Sequence, residues 1–204
     1  MKRFSAILAL LVLLWSGAAI AGDTPSVNRF EKSYSEFGFQ VGYGFGINLP
    51  PGGFDHGDRT DIQFPYFAPN YKKNITGKMG AGALEGSLFW FPELAVAPLQ
   101  NPKSGYLVGF SPLMVEYKFT NSNRKWSPTA MIGAGVSYGD WNNVAREIST
   151  SFEFLLHGGL GIEFMRSDRG SFSMNYRLLH VSNAGIDFPN VGLNANMFTL
   201  GFSF

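Results

Sequence analysis

Near the C-terminus, His180 and Ser182 stand two residues apart, a spacing that could do chemistry. A serine hydroxyl is a weak nucleophile until a neighbouring base takes its proton. In an extended strand, residues i and i+2 lie about 6.6 Å apart and point the same way, so the imidazole can reach the hydroxyl. A hydrogen-bond acceptor on the far side of the ring would fix its tautomer, as the third member of a hydrolase triad does. A hairpin symmetric about Asp187 brings Asn194 opposite His180 and makes it that acceptor. Asp187 itself is a second candidate acid, although an Asp in a loop more often caps a turn. Polar residues at a strand end are usually only interfacial, so the pair needs a scaffold that gives it a reason to be there.

The scaffold is a succession of strands. Phe37, Phe39, Val41, Tyr43 and Phe45 alternate with Glu36, Gly38, Gln40, Gly42 and Gly44. The same period of two recurs in Phe152 to Phe164, where Glu153, His157 and Glu163 stand on the opposite column, and in Leu113 to Phe119 against Glu116 and Lys118. Phe172, Met174, Tyr176 and Leu178 face away from Ser173, Asn175 and Arg177. Continuing that apolar column by two puts His180 and Ser182 on it, because side chains alternate strictly along a strand. Segments near 35–47, 60–68, 79–91, 105–119, 126–139, 152–166, 170–182 and 193–204 give eight strands. Each has about the length that a tilted strand needs to cross a bilayer, and an even count suits a small closed barrel filled by its own side chains.

Composition narrows the class. Lys2 and Arg3, the apolar run Ile7 to Trp15 and the small residues at Ala19-Ile20-Ala21 form the pattern of a cleaved secretory signal. Residues 1–21 are therefore expected to be a signal peptide and residues 22–204 the barrel. Aromatic residues make up 16% of the chain, with 20 Phe and 25 Gly, which suits many half-exposed strands. Cysteine is absent, which excludes thiolate chemistry, disulfide staples and Cys-bound metals. His56 lies in a Gly/Asp-rich loop without a second ligand, so neither metal nor cofactor is called for. A formal net charge of +1 gives no nucleic-acid footprint.

Turn-rich stretches separate the strands: Asn121 to Arg124 and Ser167 to Gly170 are short, while Pro50 to Asp61 and Asn183 to Gly192 are longer. With both termini periplasmic, the two longer loops are extracellular. Trp90, Trp126 and Trp141 lie near strand ends, where an interfacial girdle is expected. His157, Glu153 and Glu163 form a second polar group, which a lumen position makes structural. The last strand alternates Phe198, Leu200, Phe202 and Phe204 with Met197, Thr199, Gly201 and Ser203. Such a strand ending in Phe resembles the C-terminal signature of bacterial outer-membrane barrels.

Residues His180-Val181-Ser182-Asn183-Ala184-Gly185, Asn190 before Gly192, and the terminal strand together resemble the outer-membrane lipid A 3-O-deacylase family of PagL-like eight-stranded barrels. That resemblance implies an all-β, eight-stranded antiparallel transmembrane β-barrel in the outer membrane. It makes His180 the base, Ser182 the nucleophile, and Asn190 with the Gly185 amide the oxyanion hole. The family's acidic third member, a Glu in its best-known form, falls on Asn194. An amide oxygen can orient the ring but cannot stabilise an imidazolium as a carboxylate does; outer-membrane phospholipase A, a different barrel, resembles this arrangement. The expected substrate is lipopolysaccharide, whose lipid A ester-linked 3-hydroxyacyl chain would be removed amid outer-membrane lipids. A phospholipase with the same pair, and a non-catalytic structural or adhesive barrel, stand as alternatives. Acyl-chain preference, ester position and oligomeric state are not legible.

Overall fold

The computed structural model describes residues 28–47, 60–120, 125–167 and 170–204. The expected signal peptide, the loop from Pro50, His56 and the Asn121–Arg124 turn lie outside the described residues, apart from the loop's end at Thr60 and Asp61.

Strands β1 (Ser35–Ile47), β2 (Gln63–Asn74), β3 (Gly86–Trp90), β4 (Glu93–Leu99), β5 (Gly105–Phe119), β6 (Trp126–Gly139), β7 (Phe152–Ser167), β8 (Gly170–Ser182) and β9 (Leu193–Ser203) pair antiparallel. β3 and β4 both lie between β2 and β5, and β1 pairs with β2 and β9. The sheet is therefore a closed ring of eight staves, one of them in two pieces. Closure leaves no open edge, so the strands satisfy their backbone groups among themselves, the condition for spanning lipid with strands. Among the described residues no helix is long and apolar enough to cross a membrane.

Two staves depart from the sequence reading. β2 runs on past Pro69 and Asn70 to Asn74, because Lys72 turns inward to Glu116 with 2.7 Å between Nζ and Oε1. The third stave begins at Gly86 rather than near 79 and continues to Leu99 as β4. Its break falls at Phe91-Pro92, where the fully buried Phe91 fills the lumen. Opposite the break, β5 changes register between Phe110 and Leu113, and Trp90 Nε1 donates to the Pro112 carbonyl at 2.8 Å. Pro92 cannot donate a ladder hydrogen bond, so the interruption and the bulge accommodate one another.

The faces fall as the alternation predicts. Leu113, Ile132 and Leu160 are 72%, 66% and 66% exposed on the outside, while Glu36, Glu116, Arg177 and Glu163 are buried inside. At the terminal rim, where β1 begins and β9 ends, the lumen holds three cations, Arg29, Lys72 and Lys118, against three carboxylates, Glu36, Glu116 and Glu163. Midway, both terminal guanidinium nitrogens of Arg177 reach Glu93, at 2.9 and 3.0 Å, and the Tyr66 hydroxyl donates to the same carboxylate. Toward the other rim the filling turns apolar: Ile62, Phe64, Leu99, Leu155, Leu179, Val181 and Leu193 pack together. The one-turn helix α1 (Trp141–Val144) closes this plug.

Trp141 is the clearest departure from the expected girdle. It is fully buried, with its indole N–H donating to Ser137 Oγ at 3.0 Å, and forms part of the plug. Trp126 stays at the terminal rim, paired with Phe164, whereas Trp90 faces outward at the internal break of its stave. The band near the terminal rim is instead built largely by phenylalanines, with Phe39 against Phe202 and Phe172 against Phe202 at 5.3 Å centroid separations.

Removing one partner of a buried charge pair strands the other, which costs about 3–5 kcal/mol. Arg177→Leu should therefore lower barrel stability by that amount in urea titrations followed by tryptophan fluorescence in micelles. An unchanged unfolding midpoint would show that the Arg177–Glu93 pair contributes nothing to holding the staves.

Candidate active site at the far rim

β8 and β9 form the hairpin that carries the site, and their register sets it. Leu178 pairs with Asn196 and His180 with Asn194, as the symmetry about Asp187 requires. Cross-strand partners on one face have neighbouring Cβ atoms, so the two side chains meet. His180 Nδ1 lies 2.8 Å from Asn194 Oδ1, and His180 Nε2 lies 3.2 Å from Ser182 Oγ. An amide oxygen only accepts, so Nδ1 donates to it and carries the ring proton. Nε2 is then the lone-pair nitrogen, placed to accept from the serine hydroxyl. All three side chains are half-buried on the outer face of the barrel.

Gly192 closes the other side of the ring. Its φ is +73°, and a Cβ there would lie 2.7 Å from His180 Cε1. Below the triad on the same face, Tyr176 donates to Asn196 Oδ1 at 2.6 Å and packs against Phe198. Beyond it an apolar groove of about 750 Å³ crosses β7, β8, β9 and β1, walled by Leu160, Ile162, Met174, Phe198, Leu200 and Val41.

Asn190 and Gly185 belong to the adjoining loop, and neither contacts the triad by a hydrogen bond described in the structure. Asn190 Oδ1 accepts the Asn183 backbone N–H at 3.1 Å, so its amide nitrogen is the donor end of the side chain. The Gly185 N–H donates to Asn183 Oδ1 at 2.9 Å. Ala184 and Gly185 have φ of +56° and +83°, and Ile186 N–H donates to Asn183 O at 3.2 Å, the features of a type I′ turn. Asp187 Oδ1 accepts the Phe188 N–H at 2.9 Å, so it caps its own turn and takes no part with His180.

Sequence reading gave Asn183 no role, yet it is 1% exposed and organises the whole loop. Its amide nitrogen also donates to Ser149 Oγ at 3.2 Å and to the Asp187 carbonyl at 3.0 Å. The signal was its place directly after Ser182; its partners could not be known without the tertiary fold. His157, Glu153 and Glu163 all face the lumen but do not form one group. His157 Nε2 meets Ser111 Oγ at 3.0 Å, Glu153 accepts from Thr150 at 2.5 Å, and Glu163 pairs with Lys118 at 2.8 Å.

A closed antiparallel ring with an apolar exterior and a charge-paired interior is an outer-membrane β-barrel. A family model described as lipid A 3-O-deacylase (PagL) matches residues 66–203, and the chain belongs to that family. The crystal structure of the outer membrane enzyme PagL is similar with a TM-score of 0.59 at 17% identity, covering 81% of this chain and 97% of that one. Ail, the attachment invasion locus protein of Yersinia pestis, is similar with a TM-score of 0.45 at 13% identity, over 84% of this chain and 97% of that one. Neisserial surface protein A has a TM-score of 0.45 at 10% identity, over 82% of this chain and 95% of that one. At 17% identity the PagL structure speaks for the fold alone. Among curated proteins none matches the chain.

Gly192→Ala forces a side chain both into a positive-φ residue and against the His180 ring, at a cost of about 1–3 kcal/mol for the backbone alone. The variant should keep its barrel but lose the Nδ1–Asn194 hydrogen bond, read as an upfield shift of the imidazole Nδ1 proton in NMR spectra. A spectrum identical to wild type would show that Gly192 does not hold the ring.

Proposed function

We propose that this protein is a serine-type ester hydrolase that removes the ester-linked 3-hydroxyacyl chain of lipid A. The observation that carries the reading is the continuous line Asn194 Oδ1, His180 Nδ1, His180 Nε2, Ser182 Oγ, with links of 2.8 and 3.2 Å on the lipid-facing side. His180 takes the hydroxyl proton as Ser182 attacks the ester carbonyl, and gives it to the sugar oxygen as its bond to the acyl carbon breaks, so that the sugar leaves as an alcohol and the acyl chain stays on Ser182. Water, activated by the same imidazole, then cleaves the acyl-enzyme.

The tetrahedral oxyanion is held by Asn190 Nδ2 and the Gly185 N–H. A charged oxygen is a stronger acceptor than a neutral amide oxygen, so it draws the Gly185 N–H away from Asn183 Oδ1. Asn194 orients the ring and fixes its tautomer without adding a charge. In serine proteases, replacing the triad Asp by Asn is costly chiefly because the tautomer is lost; here the amide oxygen faces Nδ1, and that part of the loss is avoided.

The site's position supports the substrate. With both termini periplasmic, Ser182 stands at the extracellular end of a lipid-facing column, among the acyl chains of the outer leaflet. The groove centred near Tyr176 lies six residues down the same strand, about 20 Å along it, where the tail of the bound chain can rest. The same Asn-His-Ser line also fits a phospholipase, and purified lipids separate the two: lipopolysaccharide should be hydrolysed and phosphatidylethanolamine left intact. The reverse pattern would favour the phospholipase.

Mass spectrometry of lipid A from cells expressing wild type should show loss of one 3-hydroxyacyl chain, and Ser182→Ala should abolish it. Identical acylation patterns in the two strains would overturn the reading. Asn194→Ala should slow turnover by about 10²-fold, within the range of a general base that has lost its orientation, while the barrel folds normally. Full activity in that variant would place the third member elsewhere.

A further inference from the structure

The loop between β6 and β7 lies outside the catalytic line, yet it holds the segment from which both oxyanion donors come. Ile148 forms an antiparallel bridge with Asn190, and the Val191 N–H donates to the Glu147 carbonyl at 3.1 Å. The next residue, Ser149, accepts from Asn183 at 3.2 Å. Three consecutive residues of one loop thus bracket the other loop at both its ends. Ile148 is buried in the apolar plug with Val144 and Val181, which fixes the bracket from below.

What fixes it from the side is the Glu147 carboxylate. That residue is 5% exposed, and its two oxygens accept from one residue on a third segment, the Thr60 N–H at 2.6 Å and the Thr60 hydroxyl at 2.5 Å. The bond spans 87 residues and ties the start of the β2 stave to the bracket. Thr60 Oγ1 in turn accepts the Arg146 N–H at 3.4 Å. The Arg146 side chain, 3.8 Å from Glu147 and two-thirds exposed, adds little to a charge already satisfied by two hydrogen bonds. A carboxylate accepting both an N–H and an O–H of one residue holds position more firmly than either bond alone.

We propose that Glu147 is a positioning residue for the oxyanion side of the site, acting through the Ile148–Asn190 bridge to set the height of the Asn190 amide beside Ser182. The inference rests on the reading of Asn190 as an oxyanion donor. Misplacement of about 1 Å at a reacting centre costs about 10²-fold in rate. An effect confined to oxyanion alignment appears in the transition state and so in kcat rather than KM.

Steady-state hydrolysis of purified lipopolysaccharide by refolded, full-length barrel tests it. Glu147→Ala should lower kcat at least tenfold with KM within about twofold of wild type. Glu147→Gln, which keeps one acceptor oxygen, should recover part of the loss. Combined with Asn190→Ala, Glu147→Ala should add no further loss, because both act on one donor. Unchanged kcat, a rise in KM alone, or losses that multiply in the double variant would overturn the proposal. Should Glu147→Ala fail to refold, Glu147→Gln and Thr60→Val carry the same test, with a three- to tenfold fall in kcat expected and an unchanged kcat overturning it. The Asn190 side-chain amide resonances in the labelled, folded barrel give a readout independent of activity. They should move in Glu147→Gln; unmoved resonances would overturn the proposal. Hydrolysis that survives Ser182→Ala or Asn190→Ala would instead bring down the underlying mechanism, and the resonances would still decide whether Glu147 positions Asn190.

Discussion

Everything at the site depends on the register between β8 and β9. A strand has a side-chain period of two, so a slip of one residue turns a whole column to the other face. In the observed register His180 stands opposite Asn194; a slip of one would set it against Leu193 or Ala195, both of which belong inside the barrel. The register is held on both faces. Outside, Tyr176 and Phe198 pack together, and Tyr176 bonds Asn196; inside, Asn175 donates to Thr199 at 3.4 Å and Thr199 donates to Gln40 of β1 at 2.7 Å. The chemistry is thus fixed by contacts that have no part in it.

The interior divides the work along the barrel axis. Charges crowd the terminal rim and the midpoint, each with an opposite partner, so the lumen is crossed by ties among β1, β2, β5 and β7 that resist sliding of one stave along another. Toward the site the filling is apolar and built from Leu, Ile, Val and Phe around Trp141. The division is physically reasonable. A plug of large side chains gives β8 and the β6–β7 loop a rigid floor, and the residues flanking His180, Leu179 and Val181, turn apolar side chains into that plug. The nearest buried ionic pair on the same strand, Arg177 with Glu93, is turned to the lumen three residues away.

The sequence made the faces, the hairpin and the His180–Ser182–Asn194 line legible because each follows from a period of two, and a period is local. Strand ends were less legible where proline intervened. The strands expected over 60–68 and 79–91 end directly before Pro69 and Pro92, but the first proline sits in a stave that simply continues and the second marks a break that the β5 bulge accommodates. Trp141 read as a girdle residue from its place after a strand, whereas a helical turn swings it over the lumen. Asn183, Glu147 and Thr60 carried no readable signal of partnership. Their contacts join segments 34 and 87 residues apart, across loops whose paths no local pattern specifies.

Asn194 is the feature in which the barrel's setting and its chemistry meet. A carboxylate at this position would face lipid on the outside of the barrel, where an ionised group without a full set of partners is costly. An amide accepts the same Nδ1 proton at 2.8 Å without that desolvation cost. In the proposed mechanism, what it gives up is the stabilisation of the imidazolium that would form as Ser182 attacks. On the proposed mechanism that deficit has to be met on the other side of the reaction, where the negative charge develops, and there the structure concentrates hydrogen-bonded order: Asn183, Asn190 and the type I′ turn, with the Glu147 clasp beyond them. On that reading, a weaker base line and a more firmly held oxyanion loop are two parts of one arrangement, in which the line Asn194–His180–Ser182 itself sets no carboxylate against lipid.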